Sequence, residues 1–345
     1  MRNRRWGMAA IALVSVLVLA ACSDVEDDPG DGAAGGDTGA AAETGTDGAG
    51  AVAQCGGDPI RIAVNPWTGS TANATVAKVI LEQEMGCSVE LVEIDEFAQF
   101  PGLAQGDLDA TLEVWPSGHA EDYATYIEGD GGVVDGGELG VVGNIGWFLP
   151  TYLVEENPDL ATVEGLQGNE EMFATAETGD RGQFLAGDPS FVSYDEQIIE
   201  SLGLDFEVVY SGSEAALLSA LDAAYAAEDP LLMYFWSPHW AQAKYDLTEV
   251  ELPAYNEECE DAALNRDGEG YACDYADDVL YKAFAADLEE RDPAAFAFLS
   301  AMKYTNDDQN SIALAIDDGG MSPEEAAQQW VDANEDVWSA WLPTE

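Results

Sequence analysis

Short apolar runs and helical spacings alternate along most of the chain. Ile60–Asn65 (IRIAVN) reads as a strand, Ser70–Glu84 has helical spacing in Val76, Val79, Ile80 and Gln83, and Ser88–Ile94 (SVELVEI) reads as a second strand. The pattern then repeats: Phe97–Gln105 predicts a short helix, Asp109–Val114 (DATLEV) a strand and His119–Ile127 another helix. Strand–helix–strand alternation implies a parallel sheet with right-handed crossovers, and so an α/β fold. A second series occupies about Gly143 to Trp240. Its strands are Ile145–Val154 (IGWFLPTYLV), Phe206–Tyr210 and Leu231–Trp236, and its helices are Tyr194–Leu202 and Glu214–Ala227, the latter opened by Ser211-x-x-Glu214 as a capping box. The tail is helical. Ser322-Pro323-Glu324-Glu325 combines an N-cap, an N1 proline and an N3 glutamate, and Trp330, Val337, Trp338 and Trp341 then form one apolar stripe expected to pack in the core.

Two N-terminal segments break this pattern. Arg2, Arg4 and Arg5 precede an uncharged run from Trp6 to Ala21, shorter than the roughly 20 residues a spanning helix needs, so residues 1–21 read as a secretory signal peptide. Its end, Leu19-Ala20-Ala21-Cys22, resembles the lipobox of bacterial lipoproteins, which implies cleavage before Cys22 and a lipid on that cysteine. Residues 22–54 are rich in Gly, Ala, Asp, Glu and Thr and predict a flexible acidic tether. The expected location is the outer face of a bacterial cytoplasmic membrane, anchored without a span.

Of the 345 residues, 68 are acidic and 11 basic, for a net charge of −57. Phosphate neutralisation and docking on anionic lipid through a basic patch are both excluded. With 47% hydrophobic residues the chain can bury a core, so the acid is read as solvation. Beyond Cys22 there are four cysteines in an exported chain, an even count that suggests disulfides. Three pairings are open; sequence proximity favours Cys55–Cys87 and Cys259–Cys273, and no CxxC spacing supports zinc or redox chemistry. The two histidines, His119 and His239, are too few for a His-rich metal site. No GxSxG, P-loop or HExxH motif is present, and acidic pairs are too common for a carboxylate dyad to stand out. No cofactor, metal or catalytic activity is expected.

The informative residues are tryptophans. Trp67 and Trp115 follow the carboxyl ends of expected parallel strands, Trp236 ends another, and Trp147 opens the second series. Ligands of open α/β sheets sit outside the carboxyl ends of the strands, so these residues predict an aromatic cavity.

The stretches NPWTGSTANATVAKVILE, GDLDATLEVWPSG, NIGWFLPTYLVEENPDLATVEGL and FWSPHWAQAKYDLTEVELP lie in family order. Through them the chain resembles the glycine betaine/choline class of ABC-transporter substrate-binding proteins, over about Pro59 to Trp341. The resemblance implies a type II periplasmic-binding fold, two α/β lobes around a ligand cleft. Lobe I is expected at residues 55–139 and 253–345, lobe II at 140–252. It further implies a cage for a quaternary ammonium group, Trp67 and Trp115 coming from the first lobe and Trp147 and Trp236 from the second. Such a head has no N–H to donate, whereas each desolvated tryptophan face attracts it by about 0.5–2 kcal/mol. Gly69 and Ser70, at a helix N-terminus, and His239 are the candidate donors to a ligand carboxylate. Choline-selective members carry an aspartate two positions after the first tryptophan. Here that position is Gly69, which favours glycine betaine or a related zwitterion over choline or carnitine. The implied partners are an ABC permease and its ATPase. Outside the family the rivals are a carbohydrate-binding surface lipoprotein and a secreted hydrolase, the latter needing a catalytic dyad that the sequence does not single out.

Overall fold

The computed structural model describes residues 51–129, 131–256, 259 and 273–344. The signal peptide, Cys22 and the tether up to residue 50 lie outside the described residues. Contacts group Ala49–Glu345 as one compact unit.

Nine strands join one sheet. They are β1 (Ile60–Val64), β2 (Val89–Glu93), β3 (Ala110–Val114), β4 (Val133–Pro150), β5 (Gly182–Ala186), β6 (Phe206–Tyr210), β7 (Met233–Ser237), β8 (Leu247–Glu249) and β9 (Asp277–Ala285). The order is β2-β1-β3-β9-β4-β7-β5-β6, with β8 paired to β4. β1 is parallel to β2 and β3, and β5 is parallel to β6 and β7, as the strand–helix alternation requires. β9 returns antiparallel between β3 and β4.

β4 is the element the sequence pattern misses. Instead of a strand over Ile145–Val154, an 18-residue strand starts at Val133, and the chain turns helical at Thr151. Along β4 the partner changes: Asn144 is opposite Asp277 of β9 on one side and Ser237 of β7 on the other. The run Val133–Asn144 includes Gly136, Gly137, Gly140 and Gly143 and many exposed positions, so it has no continuous apolar stretch to advertise a strand. β5, β8 and β9 likewise have no predicted counterpart.

Helices cover the sheet: α1 (Thr68–Glu84), α2 (Glu96–Gln105), α3 (Asp195–Leu202), α4 (Glu214–Ala227), α5 (Pro293–Ala301), α6 (Asn306–Asp317) and α7 (Pro323–Ala333). The cap of α4 is Ser213, whose hydroxyl accepts from the Ala216 N–H, and not Ser211, which hydrogen-bonds the carbonyls of Gly187 and Ser213. The expected helix over His119–Ile127 is present from Ala120, an α turn (Ala120–Asp122) that runs directly into a π-helical turn (Tyr123–Ile127). At the tail the Ser322–Glu325 capping box forms on both sides. Trp330, Trp338 and Trp341 are buried together, but on α7 and two short turns separated by a break at Asn334.

Disulfides join Cys55 to Cys87, with Cα atoms 5.1 Å apart, and Cys259 to Cys273, 6.3 Å apart. Cys55 and Cys87 sit just before β1 and β2, which are neighbours. The last residues of the expected tether are already packed: Val52 bridges Thr344, and the Ala53 N–H donates to the Pro343 carbonyl.

Candidate functional site

The β1–α1 turn is Asn65-Pro66-Trp67. Trp67 is extended and serves as N-cap of α1, which leaves its indole at the carboxyl end of β1. Trp115 directly follows β3 and packs against β4, where a Cβ on Gly143 would stand 2.3 Å from its ring, so only glycine allows this approach. Trp236 and Tyr234 alternate along β7, so both point to one face. Phe191, from the loop after β5, stands edge-on to Trp67 and to Trp236, with centroids 5.6 and 5.7 Å away.

Trp67, Trp115, Trp236, Phe191, Tyr234 and Tyr275 line one cavity, together with Glu96, Ser117, Gly118, Ile145 and Val192. Its free volume is about 30 Å³, close to the space of one water molecule. A larger ligand enters only if the walls separate.

Behind the aromatic wall lies Glu113, on β3 and 1% exposed. Its Oε1 accepts both indole N–H groups, from Trp67 at 2.7 Å and Trp115 at 3.1 Å. Oε2 accepts the side-chain amides of Asn73 (2.5 Å) and Gln309 (3.0 Å). Burial raises the Glu113 pKa to about 7 against the lowering effect of these donors.

Glu96 is the charged side chain on the cavity wall. Its carboxylate accepts the Val192 N–H and faces His119 Nε2 at 3.2 Å, while His119 Nδ1 meets Asp122 at 2.8 Å. Burial pulls the His119 pKa down, but Asp122 and Glu96 outweigh it and hold the imidazole at about 9.

The remaining residues singled out in the sequence lie off the cavity lining. Trp147, fully buried on β4, packs on Phe184 at 4.7 Å and donates to Asp195 Oδ1 at 2.7 Å. The same oxygen accepts from the Tyr275 hydroxyl at 2.9 Å, so Trp147 stands one layer behind a wall residue. Gly69 is packed under Gln309, whose Nε2 would be 2.3 Å from a Cβ. Ser70 Oγ accepts the Asn65 N–H at 3.0 Å. His239 Nδ1 accepts the Ala241 N–H at 3.0 Å, so its proton is on Nε2 and goes to Glu214 Oε1 at 2.9 Å. Glu214 Oε2 also accepts the Thr68 N–H at 2.7 Å. A carboxylate of the second series therefore sits on the N-terminus of α1, where a ligand carboxylate had been expected.

Tyr234 was recoverable from Trp236 by the strand period, whereas Phe191 and Tyr275 lie in irregular segments with no periodic signal. Among the described residues no His, Cys, Asp and Glu side chains gather as a metal site, and no helix is long and apolar enough to cross a membrane.

Residues 58–333 match the family model described as the substrate-binding domain of an ABC-type glycine betaine transport system. The chain is 28% identical over 289 residues to the trimethylamine N-oxide-binding protein of Pelagibacter ubique, covering 81% of this chain and 90% of that one. Among solved structures it superposes on the glycine/betaine/L-proline-binding protein ProX of Borrelia burgdorferi with a TM-score of 0.66 and 21% identity, over 83% of this chain and 97% of the other. Lactococcal OpuAC, in its closed conformation complexed with glycine betaine, gives a TM-score of 0.64 at 20% identity, over 83% and 100%. The superpositions identify the type II periplasmic-binding fold.

Proposed function

The chain belongs to the family of substrate-binding domains of ABC-type glycine betaine transport systems, and on that premise we propose that it captures a quaternary ammonium compound outside the cytoplasm and delivers it to a permease driven by an ATPase. The observation that carries this reading is the convergence of Trp67 and Trp115, after β1 and β3, with Trp236, Tyr234 and Phe191 of the second series on one cavity. Aromatic faces are the recognition chemistry for a cation without N–H donors, about 0.5–2 kcal/mol each when desolvated. In this proposal the cleft lies between a lobe of residues 55–139 and 253–345 and a lobe of 140–252, with β4 running from one to the other. The walls part for entry and close over the methyl groups. Trp147 serves by holding Asp195, and through it Tyr275, in place. Lipid on Cys22 anchors the whole.

Glycine betaine or a related zwitterion is the ligand favoured by Gly69. A second reading, choline, is favoured by two observations: a carboxylate, Glu96, stands in the cavity wall, and His239 is engaged by Glu214. Calorimetric titration with glycine betaine, choline, carnitine, trimethylamine N-oxide, proline and sugars tests both. At least one quaternary ammonium compound should bind and sugars should not. Trp67→Ala or Trp236→Ala should weaken the preferred ligand roughly 2- to 30-fold. Unchanged affinity in both variants, or preference for a sugar, would sink the cage.

A further inference from the structure

One carboxylate oxygen serves two walls of the cavity. Glu113 Oε1 takes the indole N–H of Trp67, at the end of β1, and that of Trp115, at the end of β3. Two rings from different strands are thus referred to a single atom. The other oxygen is held by Asn73 of α1 and Gln309 of α6, so the carboxylate receives four donors and no proton of its own is needed. Both amides, buried themselves, leave Asn73 Oδ1 and Gln309 Oε1 without a partner among the described residues. Gly69 makes room for Gln309 in this arrangement.

We propose that Glu113 is the positioning residue of the aromatic cage, and that its negative charge sets the affinity for the ammonium head. This rests on the cage reading above. Two effects act in the same direction. Charge-assisted N–H···O⁻ bonds are stronger than neutral ones and fix both indole planes. They also draw electron density into the rings, whose negative faces attract the cation, and the charge itself lies in a dry, low-dielectric setting. Protonation undoes both. A carboxyl O–H surrounded by four donors must displace one of them or turn an amide so that Asn73 Oδ1 or Gln309 Oε1 accepts it, and the cage loses its common reference.

The charge of Glu113 changes in an accessible range, since its pKa is raised to about 7, first by burial and further by the charge of Glu214. Glu214 faces it from α4 and is itself bonded to His239. Tyr304 also faces it, and its hydroxyl, pushed well above 10 by burial, stays neutral. Asp195, raised to about 6 by burial, titrates nearby in pH but behind Tyr275.

Glycine betaine and choline keep a constant charge between about pH 5.5 and 8.5, so the pH profile of their dissociation constants reports on the protein. Affinity should fall about tenfold as pH drops through 7. Glu113→Gln should bind weakly at all pH values and lose the profile, while Gln309→Ala, which removes one donor to Glu113 and does not line the cavity, should keep it with the midpoint moved up. The indole N–H resonances of Trp67 and Trp115 should titrate with that midpoint in the ligand-free protein. A merely structural Glu113 would still shift the two indole resonances on titrating, but it would leave the dissociation constants flat with pH. Binding that is flat with pH, or a profile that survives Glu113→Gln, would overturn this inference and leave the cage standing. No binding of any ammonium compound at any pH would overturn both.

Discussion

His119 sits between two carboxylates, Glu96 at 3.2 Å and Asp122 at 2.8 Å, with its side chain shut off from solvent. Because its folded pKa of about 9 lies above the ordinary 6.5, it contributes stability that is fully present below about pH 6.5 and is lost as pH rises through 9. Urea unfolding of wild type and His119→Gln at about pH 6 and pH 10 checks this: the wild-type advantage should shrink by on the order of 3 kcal/mol. An advantage independent of pH would mean that the imidazole is not the charged partner. Three of the four tryptophans that the sequence points to line the cavity, since strand ends and Pro/Gly turns mark the carboxyl edge of a parallel sheet. Trp147 lies deeper because it falls within β4, where successive side chains alternate between faces, and no local pattern says which face meets the cavity. Glu113 could not be singled out among 68 acidic residues. Its role depends on Gln309, almost 200 positions away.

The βα units were legible because each is local: β1, α1, β2 and β3 fall within a residue or two of their predicted bounds. β9 was not. It returns late in the chain to lie between β3 and β4, and such non-local pairing leaves no trace in the neighbouring sequence. The start of β9 is tied down by Cys259–Cys273, with a sequence separation of 14. Loop-closure entropy for that length is worth about 3 kcal/mol, so Cys259→Ser/Cys273→Ser should lower thermal stability by roughly that amount. Tyr275, two residues beyond the disulfide, is a cavity wall. The same variant should therefore weaken ligand binding as well, whereas breaking Cys55–Cys87, far from the lining, should cost stability with intrinsic affinity kept. Melting curves with and without ligand separate the two.

At the scale of the whole molecule, a net charge of −57 keeps the protein dispersed and turns away polyanions. A ligand with a net positive charge, such as choline, would be drawn in at long range by a pull that salt screens, whereas a zwitterion would not. If Cys22 is acylated after cleavage, mass spectrometry of the native protein should find a lipid-modified cysteine as the first residue. Unmodified protein beginning elsewhere would remove the anchor from the proposal and leave the binding domain intact. The pairing of Val52 with Thr344 has a topological consequence. The described ends of the folded domain lie side by side, so the chain is nearly a closed ring with one small gap. A linker of a few residues would close it, and the ring could then be opened at an exposed turn such as Glu228–Asp229 without reordering the sheet.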